Sequence, residues 1–184
     1  MGKSTEIALA YCAGLIDGEG CIAISRGHTR SRSGIKYPKF IMQVVVELSG
    51  TPRPLEFLKG ILGGIIYERK KGWSINSFSQ GNKNKWRYFV WKVNSDAALE
   101  ALKKIRKYLI IKPDQADIAI EFQNHMKRTR YKIKGNKDIP TREYRTNLYN
   151  KLKDIKHNRA SVETKSSENE SSSDSPILKE ISAK

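Results

Sequence analysis

Thr5 to Ile16 (TEIALAYCAGLI) reads as a helix with one face nearly bare of side chains. Ser4 or Thr5 can cap its start, and the glycines of Asp17-Gly18-Glu19-Gly20 stop it. Ala10, Ala13, Gly14 and Asp17 stand at i, i+3, i+4 and i+7 and share that face. Three of these four are too small to fill a core. They let a second helix approach backbone to backbone. Leu9, Cys12 and Ile16, on the other side, can pack into the chain's own core.

The end of this helix is electrostatically odd. Asp17 and Glu19 flank Gly18 at the carbonyl end of the helix dipole, where negative charge is disfavoured. A cation there removes the conflict. Two such helices packed side by side would bring two Glu19 carboxylates together. Paired carboxylates suit a hard divalent metal, which binds oxygen and bridges phosphate. The alternative is a glycine-rich helix stop with two solvated acids.

Downstream, Cys21 to Arg26 reads as a strand and residues 27–36 as a mobile, basic loop. Lys39 to Ser49 reads as a long strand. Its even positions Phe40, Met42, Val44, Val46 and Leu48 are apolar, and its odd positions include Lys39, Gln43 and Glu47. A helix from Pro54 to Leu62 ends at Gly63-Gly64. Ile65 to Lys71 and Trp86 to Val93 are two further strands. Helices follow from Ser95, from Pro113, and from Thr141 to about Lys156. The order is α-β-β-α-β-β-α plus C-terminal helices, an α+β fold, with no internal repeat. Residues 1–159 are expected to form one domain. Residues 160–184, rich in Ser, Glu and Asn, are expected to be a disordered tail.

Charge narrows the partner. The chain carries 35 Lys+Arg against 19 Asp+Glu, a net +16. The tail holds three Lys and five acids, so its −2 leaves +18 on the rest. Such an excess favours a polyanion, nucleic acid or an anionic membrane surface. No stretch reaches the roughly 18 apolar residues a membrane span needs. Two cysteines without zinc spacing, and no secretory leader, suit an intracellular protein.

Cys12-Ala13-Gly14-Leu15-Ile16-Asp17-Gly18-Glu19-Gly20 resembles the LAGLIDADG motif of homing endonucleases. Seven of nine positions agree if Glu is equated with Asp. The element order over roughly residues 5–157 also resembles the family unit. The resemblance implies a saddle of antiparallel strands in the DNA major groove. It also implies a homodimer whose motif helices meet at Ala10, Ala13, Gly14 and Asp17. Glu19 would supply the metal ligand, the Gly18 carbonyl a further contact, and Asp17 a structural helix end. The metal would be Mg²⁺, with Mn²⁺ as a substitute and Ca²⁺ supporting binding without cleavage. Lys112, before Pro113, resembles the family lysine beside the scissile phosphate, as against an ordinary basic helix start. Glu47 resembles a residue that orients water, with Gln43 on the same face as the alternative. A single-motif dimer implies a long, near-palindromic duplex target cut on both strands.

Basic residues gather around the two hairpins: Arg26, His28, Arg30, Arg32, Lys36 and Lys39, then Arg69, Lys71, Lys83, Lys85 and Arg87. Antiparallel ribbons can enter the major groove. Ser25, Arg26, Gln43, Arg69 and Asn76 are expected among base readers, with most lysines on phosphates. Other readings remain: an RNA-splicing maturase, or a DNA-binding protein that does not cut. Retention of Glu19 favours the enzyme. Gly2-Lys3-Ser4 lacks the upstream glycine of a phosphate-binding loop, and the three histidines lack ligand spacing.

Overall fold

The computed structural model describes residues 3–30, 34, 36–69, 87–129 and 139–170. The bare-faced helix is α1 (Lys3–Glu19), and it passes without a loop into β1 (Gly20–Arg30). Gly20 makes that junction possible. A Cβ there would lie 2.5 Å from the Ile16 carbonyl oxygen, so only glycine lets the strand leave so close to the helix backbone.

β2 (Lys36–Ser49) follows, then α2 (Arg53–Leu62), β3 (Ile65–Glu68), β4 (Tyr88–Asn94), α3 (Ser95–Ile105), a 3₁₀ turn at Arg106–Tyr108, α4 (Pro113–Thr129) and α5 (Ile139–Glu170). The strands form one antiparallel sheet in the order β1-β2-β4-β3. The expected α+β order is therefore present. Several boundaries differ from the sequence reading: α1, expected to end at Ile16, runs through Asp17 and Gly18 to Glu19. Gly27–Arg30 and Lys36, expected in a loop, prolong the first hairpin, with Arg30 opposite Lys36. The last helix runs ten residues past Ala160 to Glu170.

Alternation gives the sheet two unlike faces. Ile22, Ile24, Phe40, Met42, Val44, Val46, Phe89, Trp91 and Val93 turn toward the helices and are buried. Leu9, Cys12, Ala13 and Ile16 of α1 close over them, with Leu55 and Leu58 of α2, Leu99 and Leu102 of α3 and Phe122 of α4. Each such Leu, Ile or Phe removed from water contributes roughly 1.5–3 kcal/mol. Gly64 (φ 91°) turns the chain where a Cβ would strike the Lys92 carbonyl, and the Trp91 indole N–H donates to the Gly63 carbonyl at 2.8 Å.

Burial pushes the Cys12 thiol up to about 11, whereas Cys21 is exposed. A thiol reagent at pH 8 is expected to modify Cys21 in the native protein and Cys12 only after unfolding. Rapid native labelling of both would contradict this packing. The proton retained by folded Cys12 also has a sign. Above the ordinary thiol pKa the unfolded chain releases it and the folded chain does not, so stability falls as pH rises from about 9 toward about 11.

Candidate active site and nucleic-acid interface

The helix end is held by a residue 17 that acts as an acceptor. Asp17 is 6% exposed. Its carboxylate takes the backbone N–H groups of Ile110 (2.7 Å), Ile111 (3.0 Å) and Lys112 (2.8 Å). Three charge-assisted bonds tie the segment before α4 to the motif. Lys112 returns the contact. Its Nζ donates to the carbonyls of Ile16 (2.9 Å) and Asp17, placing a positive charge on the carbonyl end of α1. Residues 95 apart in sequence thus meet at one point, beside Gly18 and Glu19. The turn feeding this segment is braced by Arg106, paired with Asp117 of α4 at 2.5 Å. That guanidinium holds the Asp117 carboxyl below its usual range.

Glu19 and Gly18 are exposed at this end, and nothing lies within 4 Å of where a Gly18 Cβ would be. Gly20 pairs with Val46, so the register puts Glu47 next along from the motif, on the sheet face away from the helices. Among the described residues no cluster of three or more Asp, Glu, His or Cys has the arrangement of a metal cage. Hard oxygen donors on one chain still suit Mg²⁺, which takes one or two carboxylates and fills its remaining positions with water and phosphate oxygens.

The exposed side of α1 departs from the expected seam. Ala10 and Gly14 are exposed, but Ala13 has no exposed surface and sits in the core with Cys12 and Ile16. Ala13 therefore leaves the seam, and Asp17 faces inward to its three N–H donors. A small residue at the margin of a helical face goes wherever packing puts it. The outward stripe is instead Ile7, Ala10, Tyr11, Gly14 and Gly18. It is apolar at its start: Ile7 is 71% and Tyr11 50% exposed, and Tyr11 meets the exposed Phe57 ring edge-on at 5.2 Å. Ile110, 87% exposed, continues it at the motif end. Tyr11 and Phe57 were readable as apolar, but only the packing of α2 against α1 shows them outward together.

The open sheet face carries Ser25 of β1, Lys39, Gln43 and Glu47 of β2, and Lys92 and Asn94 of β4. Ser25 spends its hydroxyl on the Ile41 carbonyl at 3.2 Å. Arg69, just after β3, reaches onto this face and pairs with Glu47 at 2.5 Å. The other basic positions of the first hairpin fall differently. Arg26, His28, Arg30 and Lys36 share the register parity of Ile24 and Phe40, the opposite side, and Arg26 lies over the Phe40 ring at 5.9 Å. Arg87 shares the parity of Phe89, stacks on it at 5.0 Å and forms a bidentate pair with Glu68. These five are exposed, yet strand parity separates them from Gln43. Lys92 and Asn94 went unnamed in the sequence reading, although the apolar Phe89, Trp91 and Val93 already imply that they point outward. Arg32, Lys71, Asn76, Lys83 and Lys85 lie outside the described residues.

No described helix is long and apolar enough to cross a membrane. Among solved structures, the homing endonuclease I-CvuI, in complex with the I-CreI target in the presence of Mg and with its DNA not cleaved, matches with a TM-score of 0.63 at 20% identity. The match covers 82% of this chain and 83% of that one. The archaeal intron-encoded homing endonuclease I-Vdi141I, complexed with DNA, matches at 0.60 and 19% identity over 81% and 84%. The group I intron-encoded I-CeuI, also complexed with DNA, matches at 0.59 and 12% identity over 83% and 69%. At these identities the likeness speaks for the fold. No curated protein matches the chain. The family model described as LAGLIDADG endonuclease matches residues 12–108, more than half the chain, taking in the motif and all four strands. This protein belongs to the LAGLIDADG endonuclease family.

Proposed function

We propose that the protein is a homodimeric, site-specific endonuclease that hydrolyses both strands of a long, near-palindromic DNA duplex with divalent metal ions. One observation carries the reading. A helix stripe of Ile7, Ala10, Tyr11, Gly14 and Gly18 is left uncovered by the described residues and ends at an exposed carboxylate, beside an open antiparallel sheet. Exposed apolar surface of this kind marks an interface. A second copy laid along it brings its own Glu19 close, one for each DNA strand.

Within that dimer, Glu19 and the Gly18 carbonyl hold the metal, and Asp17 keeps the helix end in place. A Mg²⁺ ion held there would supply charge neutralisation at the scissile phosphate and a more acidic water. Mn²⁺ substitutes, and Ca²⁺ supports binding alone. Lys112 adds fixed positive charge beside the phosphate, and Glu47 orients water. The open face reads base edges through Ser25, Gln43, Arg69, Lys92 and Asn94, while Lys39 and the outlying basic residues meet phosphates. Cleavage leaves short 3′ overhangs, in keeping with the family. The enzyme works inside the cell, with residues 1–159 as the endonuclease unit and the polar segment from 160 outside it.

The test is selection of cleaved duplexes from a randomised near-palindromic pool, with Mg²⁺ or with EDTA. We expect linear products only with the metal and a dimer in sedimentation. Binding should weaken by about 10³ to 10⁵ between 50 and 200 mM salt if 6–10 phosphates are contacted. Tight binding without cutting in both Mg²⁺ and Mn²⁺ would overturn the nuclease reading in favour of a non-cleaving binder.

A further inference from the structure

Glu47 presents a problem of charge. It lies beside the motif on the face that, in the reading above, receives a polyanion. An isolated carboxylate there would repel phosphate and wander among rotamers. The structure supplies a partner from the far side of the sheet. Arg69 Nη1 meets Glu47 Oε1 at 2.5 Å, with the two side chains 33% and 34% exposed. This pair is half-buried, so water screens it less than a surface pair. It is also held at its Arg69 end by the backbone, since the Arg69 N–H donates to the Tyr88 carbonyl at 2.8 Å.

The register shows what the pair spans. Glu47 of β2 stands opposite Val90 of β4, and Val90 stands opposite Tyr67 of β3. Arg69 therefore reaches back across β4 to touch β2. Val90 is only 3% exposed, although its parity puts it on the open face. Three strands are clasped at the end of the sheet next to the motif.

We infer that Arg69 is a positioning residue for the reaction: it fixes the Glu47 carboxylate beside Glu19, cancels its charge toward DNA, and so links the outer strands to the catalytic end. A guanidinium has five donors in a planar fork. One nitrogen serves Glu47, and the remaining donors are left for the duplex, so a single side chain touches both. This rests on the nuclease reading above.

The test uses the full-length protein on its selected duplex, in single-turnover reactions at saturating DNA. Arg69→Gln is expected to lower the cleavage rate about tenfold to a hundredfold, the scale on which misplacing a catalytic group costs rate. Its DNA affinity should change less than its rate. Glu47→Gln should show a similar loss, and the double variant should be no slower than the worse single one, because contacting residues couple. Arg69→Lys, which retains a point charge, should recover part of the rate. An Arg69→Gln enzyme that cuts at the wild-type rate once saturated, or losses that simply multiply in the double variant, would overturn the inference while leaving the nuclease intact. If Arg69→Gln unfolds, Arg69→Lys and Glu47→Gln decide the question, since a folded Arg69→Lys enzyme at full rate with Glu47→Gln also at full rate refutes it. A wild-type protein that cuts nothing in the pool removes the nuclease reading, and this inference with it.

Discussion

Replacing Glu19 by glutamine should abolish cleavage of a duplex that the protein still binds. The carboxylate stands exposed at the end of α1, so the isosteric amide disturbs little packing. What it removes is the anionic oxygen that a hard divalent cation requires. Losing an electrostatic group that acts in the transition state costs about 10²–10³ in rate, and losing a metal ligand costs more, so a drop of at least about 10³-fold is expected. Binding should stay within about tenfold or tighten, because one negative charge facing the phosphates has gone. Single-turnover cleavage and a gel-shift titration on the same duplex separate the two effects. A Glu19→Gln enzyme that cuts at a rate near wild type would dismiss the proposed centre.

Asp17→Ala should instead damage the fold. Its carboxylate satisfies three backbone N–H groups of the segment leading into α4. Truncation removes three charge-assisted bonds to part-buried donors that water can only partly replace, at about 1 kcal/mol each, so a loss of about 3 kcal/mol is expected. Domains of this size have about 5–15 kcal/mol in total, and each kcal/mol moves Tm by about 2–4 °C, which predicts a fall near 10 °C. The same change frees Lys112, whose Nζ sits on the helix-end carbonyls, so cleavage should fall too. Asp17→Asn keeps one acceptor and should fall between. Thermal unfolding followed by circular dichroism measures this, and a shift under about 2 °C would show that the segment is anchored elsewhere.

Much of the architecture was legible. The 3.6-residue and 2-residue periods of the chain placed the helices and strands, and Gly63-Gly64 and Pro54 marked the limits of α2. Glu19 and Lys112 were found from short motifs, and structure places both at the same end of α1. Alternation put Glu47 and Gln43 on the polar face without knowledge of the partner strand, and the family resemblance singled them out from the other residues there.

Strand parity sorts residues in a way that nearness in sequence does not. Arg26, His28, Arg30 and Lys36 gather with Lys39 around the first hairpin, and Arg87 with Arg69 around the second, by nearness in sequence, which ignores parity. Register divides them, since a shift of one residue reverses the face. Ala13 looked like part of an outer stripe, because its size permits either side, and the packing of the core chose the inner one.

What the amino-acid order determined by itself was local: element types, the helix stop at Gly20, and the acid placed there. These follow from backbone conformation and side-chain period within a few residues. Only the tertiary structure decided which distant groups complete that acid's surroundings. Asp17 with residues 110–112, Lys112 with the helix end, and Arg69 with Glu47 are separated by 22 to 96 positions. Their meeting depends on chain closure and strand register, which sum over the whole fold and leave no local mark.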